Sequence, residues 1–218
     1  MNDRMKRLMA YFYMPLIFTL AGYLVIYIAV RPIAELAMGL GSMVVAAEAP
    51  DFSPNTNSIF EPEKELTERA TVPISEVVIP EYSTHYGQLT CGKIGLDAPV
   101  YFGDDRGILK VGAGQYNGSY MPGFGKTILL SAHNTTYFAP LQYIGAGDEI
   151  TFTTNYGVYV YKVTETKVLH KSDESAYSLT QDKEQLVLYT CYPFEMLVGT
   201  KQDRLFVYAD KISGPDVE

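Results

Sequence analysis

The chain has 218 residues, a formal net charge of −8, two cysteines and no tryptophan. That length fits one domain of about 100–200 residues with accessory segments. The acidic balance excludes a basic surface of the kind that holds nucleic acid.

Charge is spread unevenly. Residues 1–47 carry four basic and two acidic groups, whereas residues 48–80 carry two basic and seven acidic ones. Arg4, Lys6 and Arg7 precede twenty-three uncharged residues, 8–30. At about 1.5 Å per residue a helix of that length crosses the roughly 30 Å hydrocarbon core of a bilayer. The basic leader predicts a cytoplasmic N-terminus over residues 1–7, a single transmembrane anchor over 8–30, and everything beyond Arg31 outside the cell. Tyr11, Tyr13, Tyr23 and Tyr27 fall toward the two ends, where amphipathic rings favour the headgroup region. The rival is a cleaved signal peptide, but its apolar region spans about 7–15 residues. Ala47-Glu48-Ala49 has the small-residue pattern of a cleavage site, yet it lies far beyond the apolar run and Pro50 follows it. Either reading puts the rest of the chain outside.

Residues 33–47 remain apolar and small, and extend the helix or lie at the outer interface. Residues 48–80 contain five prolines and no sustained periodicity, so they read as an extended, poorly ordered tether with a short helix around 61–69. The region from 31 to 80 is therefore assigned to juxtamembrane segment and tether, 81–213 to the folded domain, and 214–218 to a tail.

From Tyr82 the pattern is β. Leu89-Thr90-Cys91-Gly92-Lys93-Ile94 and Ala98-Pro99-Val100-Tyr101-Phe102 flank a break at 95–97, and a short helical turn fits within 104–111. Residues 127–132 form a buried-strand run. Residues 148–153 and 158–164 alternate apolar and polar across Asn155-Tyr156-Gly157, a hairpin signal. Residues 185–190 and 205–209 complete the set. Short strands without long helices between them predict a closed or nearly closed, antiparallel-rich barrel, and the 18 tyrosines follow from strand propensity.

The chemistry-bearing residues sit at strand ends: His133 in Ser-Ala-His-Asn, Cys191 in Leu-Tyr-Thr-Cys-Tyr-Pro, and Arg204 in Asp-Arg-Leu-Phe-Val-Tyr-Ala. A thiol attacks as thiolate, and a neighbouring imidazole or cation stabilises that form. An attacked amide carbonyl develops negative charge that needs fixed donors, which a guanidinium supplies permanently. The three together read as nucleophile, acid/base and oxyanion stabiliser. Each alone has a plainer account: a small core residue, a solvated imidazole, a surface charge. Two other uses of the cysteines stay open, a Cys91–Cys191 disulfide in an oxidising compartment and a His85–Cys91 dyad. Asp104-Asp105 and Asp173-Glu174 are candidate calcium ligands or simply solvated loops. There is no zinc-type cluster, P-loop or dinucleotide fingerprint, so no cofactor is called for.

These three motifs resemble the signatures of the sortase family, membrane-anchored cysteine transpeptidases of Gram-positive bacteria. Residues 91–100, 112–119 and Pro122-Gly123 resemble the family's framework, and the resemblance covers about residues 82–212. Cys191-Tyr192-Pro193-Phe194, Gly199 and the Arg204 segment look closest to class D. The resemblance implies a mainly β fold, an eight-stranded barrel with short helices. It further implies that Cys191 attacks the Thr carbonyl of an LPxT-type sorting signal on a secreted protein and forms a thioester. His133 then shuttles the proton, Arg204 holds the oxyanion, and Thr190 and Asn134 line the substrate site. An amine of a cell-wall precursor such as lipid II takes the acyl group. Residues 171–184 correspond to the loop that helps read the signal. Residues 48–80 lack an Asp-Pro-aromatic plug, which favours protein anchoring over pilin polymerisation. The alternatives are a different Cys/His peptidoglycan transpeptidase and a tethered barrel that binds envelope components without catalysis.

Overall fold

The computed structural model describes residues 11–30, 56–62, 69–195 and 200–218. The chain divides into two compact units, residues 1–52 and 53–218. In the first unit helix α1, Tyr11–Val30, is 20 residues long, contains no charged residue and has no buried residue. Its length of about 30 Å matches the hydrocarbon core of a bilayer. Residues 8–10 of the expected span, the segment 33–47 and most of the expected helix at 61–69 lie outside the described residues.

Among its described residues the second unit has eleven strands. They are β1 Asn57–Ser58, β2 Thr71–Val72, β3 Thr84–Cys91, β4 Leu96–Phe102, β5 Ala113–Gln115 and β6 Thr127–Ser131, then β7 Glu149–Thr154, β8 Val158–His170, β9 Gln185–Tyr192, β10 Asp203–Ser213 and β11 Asp216–Val217. A single-turn helix, α2 Ile108–Val111, lies between β4 and β5. Strands β3 to β10 close into an eight-stranded barrel in the order β3-β4-β5-β6-β9-β10-β8-β7, and β7 pairs back onto β3. Pairing is mixed: β4–β5 and β6–β9 are parallel and the other barrel pairs antiparallel. Closure removes the free edges that would otherwise invite aggregation.

Alternation along the strands sorts side chains into two clusters. Leu186, Leu188 and Val207 point into the barrel with Ile128, Leu130, Phe152 and Tyr159. Val187, Phe206 and Tyr208 point outward, with Leu129, and are covered by Ala176 from the loop at 171–184. The hairpin forms where its turn chemistry predicts, with Thr154 Oγ1 accepting from the amides of Tyr156 and Gly157. The β3–β4 turn, by contrast, falls two or three residues earlier than expected, at residues 92–95, because Gly95 supplies the left-handed φ of +70° that the turn needs.

Parts of the segment expected to be an extended, poorly ordered tether are packed on the barrel. Strand β1 pairs in parallel with the start of β3. The Asn155 side chain clasps that segment, donating to Ile59 O and accepting from Glu61 N at 2.9 Å. Val72 and Val77 join the barrel core at 1% and 7% exposure, and β2 pairs with β11. The folded unit therefore begins well before residue 81.

Candidate active site

Cys191 is the last residue but one of β9, and Arg204 the second of β10. They are direct partners in the antiparallel ladder. Directly opposed residues share one face of a sheet with Cβ atoms about 4.5–5.5 Å apart. That face is the outer wall of the barrel, continuous with Val187, Tyr189 and Phe206. Cys191 is a half-buried free thiol. Arg204 is also half-buried and donates through Nη1 to Lys201 O at 3.0 Å and Asp203 O at 2.8 Å. Its other guanidinium donors are not used by those two bonds.

His133 arrives from a third strand. β6 runs parallel to β9 with Ser131 level with Tyr189, so two further residues bring His133 level with Cys191. The ladder itself stops at Ser131, and side chains take over. Thr190 Oγ1 donates to Ala132 O at 2.7 Å, and Asn134 Nδ2 donates to Pro193 O at 3.2 Å. The two neighbours of His133 are thus tied to residues just before and just after Cys191. The His133 carbonyl accepts from the amide of Phe138 at 3.1 Å, and the fully buried Phe138 ring anchors the turn. His133 itself remains exposed.

Thr190 and Asn134, expected to line the substrate site, are 2% and 7% exposed. Thr190 faces the barrel interior, because adjacent strand residues point to opposite sides. Both side chains form bonds within the frame that carries His133.

The outer wall forms an aromatic floor that sequence reasoning missed. Tyr189 stacks on Phe206 at 5.6 Å and Phe206 on Tyr208 at 6.3 Å. Burial chiefly pushes the Tyr189 phenol up, with Asp104 and Tyr177 adding, while its hydrogen bond to Ser131 and the charge of Arg204 oppose. The phenol therefore stays protonated beside the Arg204 guanidinium. The period-two pattern of β9 was the available signal, since Tyr189 and Cys191 share a face. The loop 171–184 is stitched over this floor. Tyr208 Oη donates to Ala176 O at 2.5 Å, Thr127 Oγ1 to Ser178 O at 2.5 Å, and Gln181 Nε2 to Thr127 Oγ1 at 2.8 Å. On the inner side of the same strand end, a cavity of about 330 Å³ opens between Leu141–Gln142 and Pro193–Phe194.

The rival uses of the cysteines do not survive. Cys91 and Cys191 are both free, and Cys91 is a core residue at 3% exposure. His85 lies six residues from Cys91 on one strand, a separation of roughly 20 Å. Its ring nitrogens face Ser58 Oγ and Gly87 O, each at 3.1 Å. Among the described residues no group of three His, Cys, Asp or Glu side chains is arranged to hold a metal ion. Asp105 caps α2, accepting from the amides of Gly107 at 2.6 Å and Ile108 at 3.0 Å. Asp173 accepts from the Ser175 amide at 2.9 Å.

A family model described as the sortase domain matches residues 89–212. Sortase D of Bacillus subtilis (strain 168) is 34% identical over 134 residues, which is 62% of this chain and 67% of that protein. The fold is shared with a Clostridium perfringens sortase D5 transpeptidase at a TM-score of 0.55 and 22% identity, covering 64% of this chain and 84% of that one. Sortase C from C. perfringens SM101 superposes at a TM-score of 0.54 with 27% identity, over 61% and 72% of the two chains.

Proposed function

The chain belongs to the sortase family of cysteine transpeptidases, and from that premise we propose that Cys191, His133 and Arg204 transfer proteins bearing an LPxT-type sorting signal to a cell-wall amine. The observation that carries this reading is the cross-strand pairing of Cys191 with Arg204, with His133 held beside them by Thr190 and Asn134.

The chemistry follows from that arrangement. The sorting signal lies extended in an outer groove that leads to Cys191 and Arg204, with the loop 171–184 along one flank. The Cys191 thiol gives its proton to His133, and the Sγ atom attacks the Thr carbonyl carbon. Negative charge gathers on the carbonyl oxygen. The Arg204 donors not engaged with Lys201 and Asp203 stabilise it in a site partly shielded from water. Collapse breaks the Thr–X amide bond, His133 protonates the leaving amine, and the acyl group remains on Sγ as a thioester. An amine from a cell-wall precursor such as lipid II then attacks the thioester carbonyl. His133 accepts its proton and the thiol is regenerated.

Helix α1 acts as an uncleaved anchor in this reading, with residues 1–7 cytoplasmic and the barrel outside. Holding the enzyme at the surface that also holds the lipid-linked acceptor raises their effective concentration. Cys191 is half-buried where Cys91 is enclosed, which favours a reactive thiol over a packing role. The test uses the full chain in detergent with LPxT-containing peptides and a primary amine. The wild type cleaves and joins them, and Cys191→Ala does neither. Activity that survives Cys191→Ala sinks the mechanism.

A further inference from the structure

Two segments wall the groove. Residues 116–120 run along β6, the amide of Tyr116 donating to Leu129 O at 2.9 Å and that of Tyr120 to Thr127 O at 3.0 Å. They pass through the turn at 121–125 before entering β6. The second wall, residues 171–184, ends as it enters β9. Both walls meet at one buried side chain, Glu184, which is 6% exposed.

The Glu184 carboxylate is surrounded by donors. The Gly123 amide reaches both oxygens at 3.1 Å, the Gly125 amide donates at 2.9 Å, and Tyr161 Oη donates at 2.7 Å. Lys211 Nζ lies 3.9 Å away and is shared with Asp216, which it meets at 2.6 Å. The turn is shaped for this approach. Gly123 has φ of +90°, and a Cβ there would stand 2.7 Å from Tyr159 Oη. The turn is also held by the Val217 amide, which donates to Gly123 O at 2.8 Å, and by Tyr156 Oη, which donates to Pro122 O at 3.0 Å, so Glu184 is the contact that joins it to the second wall. Other links join the loop to the start of β6: the exposed pair Lys126–Asp182, of a kind that contributes little, and the bonds of Thr127 Oγ1 with Ser178 O and Gln181 Nε2. Glu184 is the buried charge among them.

We propose that Glu184 is a positioning residue that sets the spacing of the two groove walls and thereby the affinity for the extended substrate. This rests on the peptide-groove reading above. Glu184 touches neither the substrate nor the reacting atoms. Because Cys191, His133 and Arg204 are fixed by other bonds, loosening the walls weakens binding and leaves the chemical step alone.

Glu184→Gln keeps the shape but turns an amide donor toward donors, leaving a buried group unsatisfied. Glu184→Asp keeps both acceptor oxygens. In the full chain in detergent, two readouts are taken on each variant: amide hydrogen exchange across 121–125 and 173–182, and cleavage kinetics on an LPxT-containing peptide. In Glu184→Gln, exchange accelerates in both segments together, KM rises about tenfold, and kcat stays within about twofold. Glu184→Asp recovers most of the KM. Should Glu184→Gln fail to fold, Tyr161→Phe, which removes one donor and leaves the charge, gives the same pattern at smaller scale. Faster exchange in only one segment, a fall in kcat at constant KM, or an Asp variant no better than Gln overturns the proposal. A wild type that ignores the peptide refutes the peptide-groove reading instead, and the exchange data still decide whether Glu184 couples the walls.

Discussion

Replacing Thr190 with valine separates the frame of the site from its chemistry. The side chain is 2% exposed and its Oγ1 donates to Ala132 O at 2.7 Å. Valine keeps the shape and removes the donor. A lost hydrogen bond costs about 0.5–1.5 kcal/mol, and leaving the carbonyl buried and unpaired raises the cost toward about 1–3 kcal/mol. For a domain of this size each kcal/mol lowers Tm by about 2–4 °C, so the expected fall is about 2–12 °C. The kinetic effect comes from position: Ala132 adjoins His133, and a misplacement approaching 1 Å costs up to about a hundredfold. A control isolates that effect. Thr154 is equally buried and accepts from two amides in the β7–β8 turn, with no bond to the His133 segment. Both variants are followed by thermal unfolding and by kcat/KM on an LPxT-containing peptide. Thr190→Val should lose stability and at least about tenfold in kcat/KM. Thr154→Val should lose stability alone. Equal losses of activity in the two, or full activity in Thr190→Val, would refute the reasoning.

Arg204→Lys keeps the charge but loses the planar fork that reaches Lys201 O, Asp203 O and the oxyanion at once. Turnover should fall by about 10²–10³ with an unchanged circular dichroism spectrum, whereas wild-type turnover removes Arg204 from the oxyanion site. A second outcome concerns acid stability. Lys93 Nζ, 2.5 Å from Asp148, holds that carboxyl below the usual carboxylate range, and the Gly145 amide helps. A depressed folded pKa stabilises the protein above the unfolded value near about 4, and the stabilisation is lost as pH falls through the folded value. Lys93→Met should therefore lower the unfolding free energy measured in urea at neutral pH, by under about 1 kcal/mol since Lys93 is largely exposed. The gap to wild type should close in strong acid. A gap that persists unchanged in strong acid contradicts the assignment.

Much of the barrel was legible because alternation is a local property. Alternation over 148–153 and 158–164 marks β7 and β8 without reference to any partner, and Asn155-Tyr156-Gly157 marks their hairpin. The two-residue strands were not legible. β1, β2 and β11 exist only through partners far along the chain, as when Asn155 reaches back to Ile59 and Val72 meets Val217. Prolines and acids in 48–80 signal the absence of local structure, not the absence of docking. The same holds at the site. Cys191 and Arg204 could be named from their strand ends, but their opposition depends on register, which composition does not encode. Thr190 adjoins Cys191 in sequence. The two-residue period of a strand turns it inward, and this was readable in principle. Glu184 and Tyr189 went unnoticed because their importance lies in what packs around them.

The central claim is that Cys191 becomes acylated, and intact-mass measurement of the full chain quenched in acid during turnover tests it most directly. With an LPxT-containing peptide and no added amine, the account predicts a mass increase equal to the peptide up to and including its threonine. That increase should map to Cys191, vanish on adding hydroxylamine, and be absent in Cys191→Ala. Peptide cleavage with no adduct, or an adduct on another residue, would contradict it.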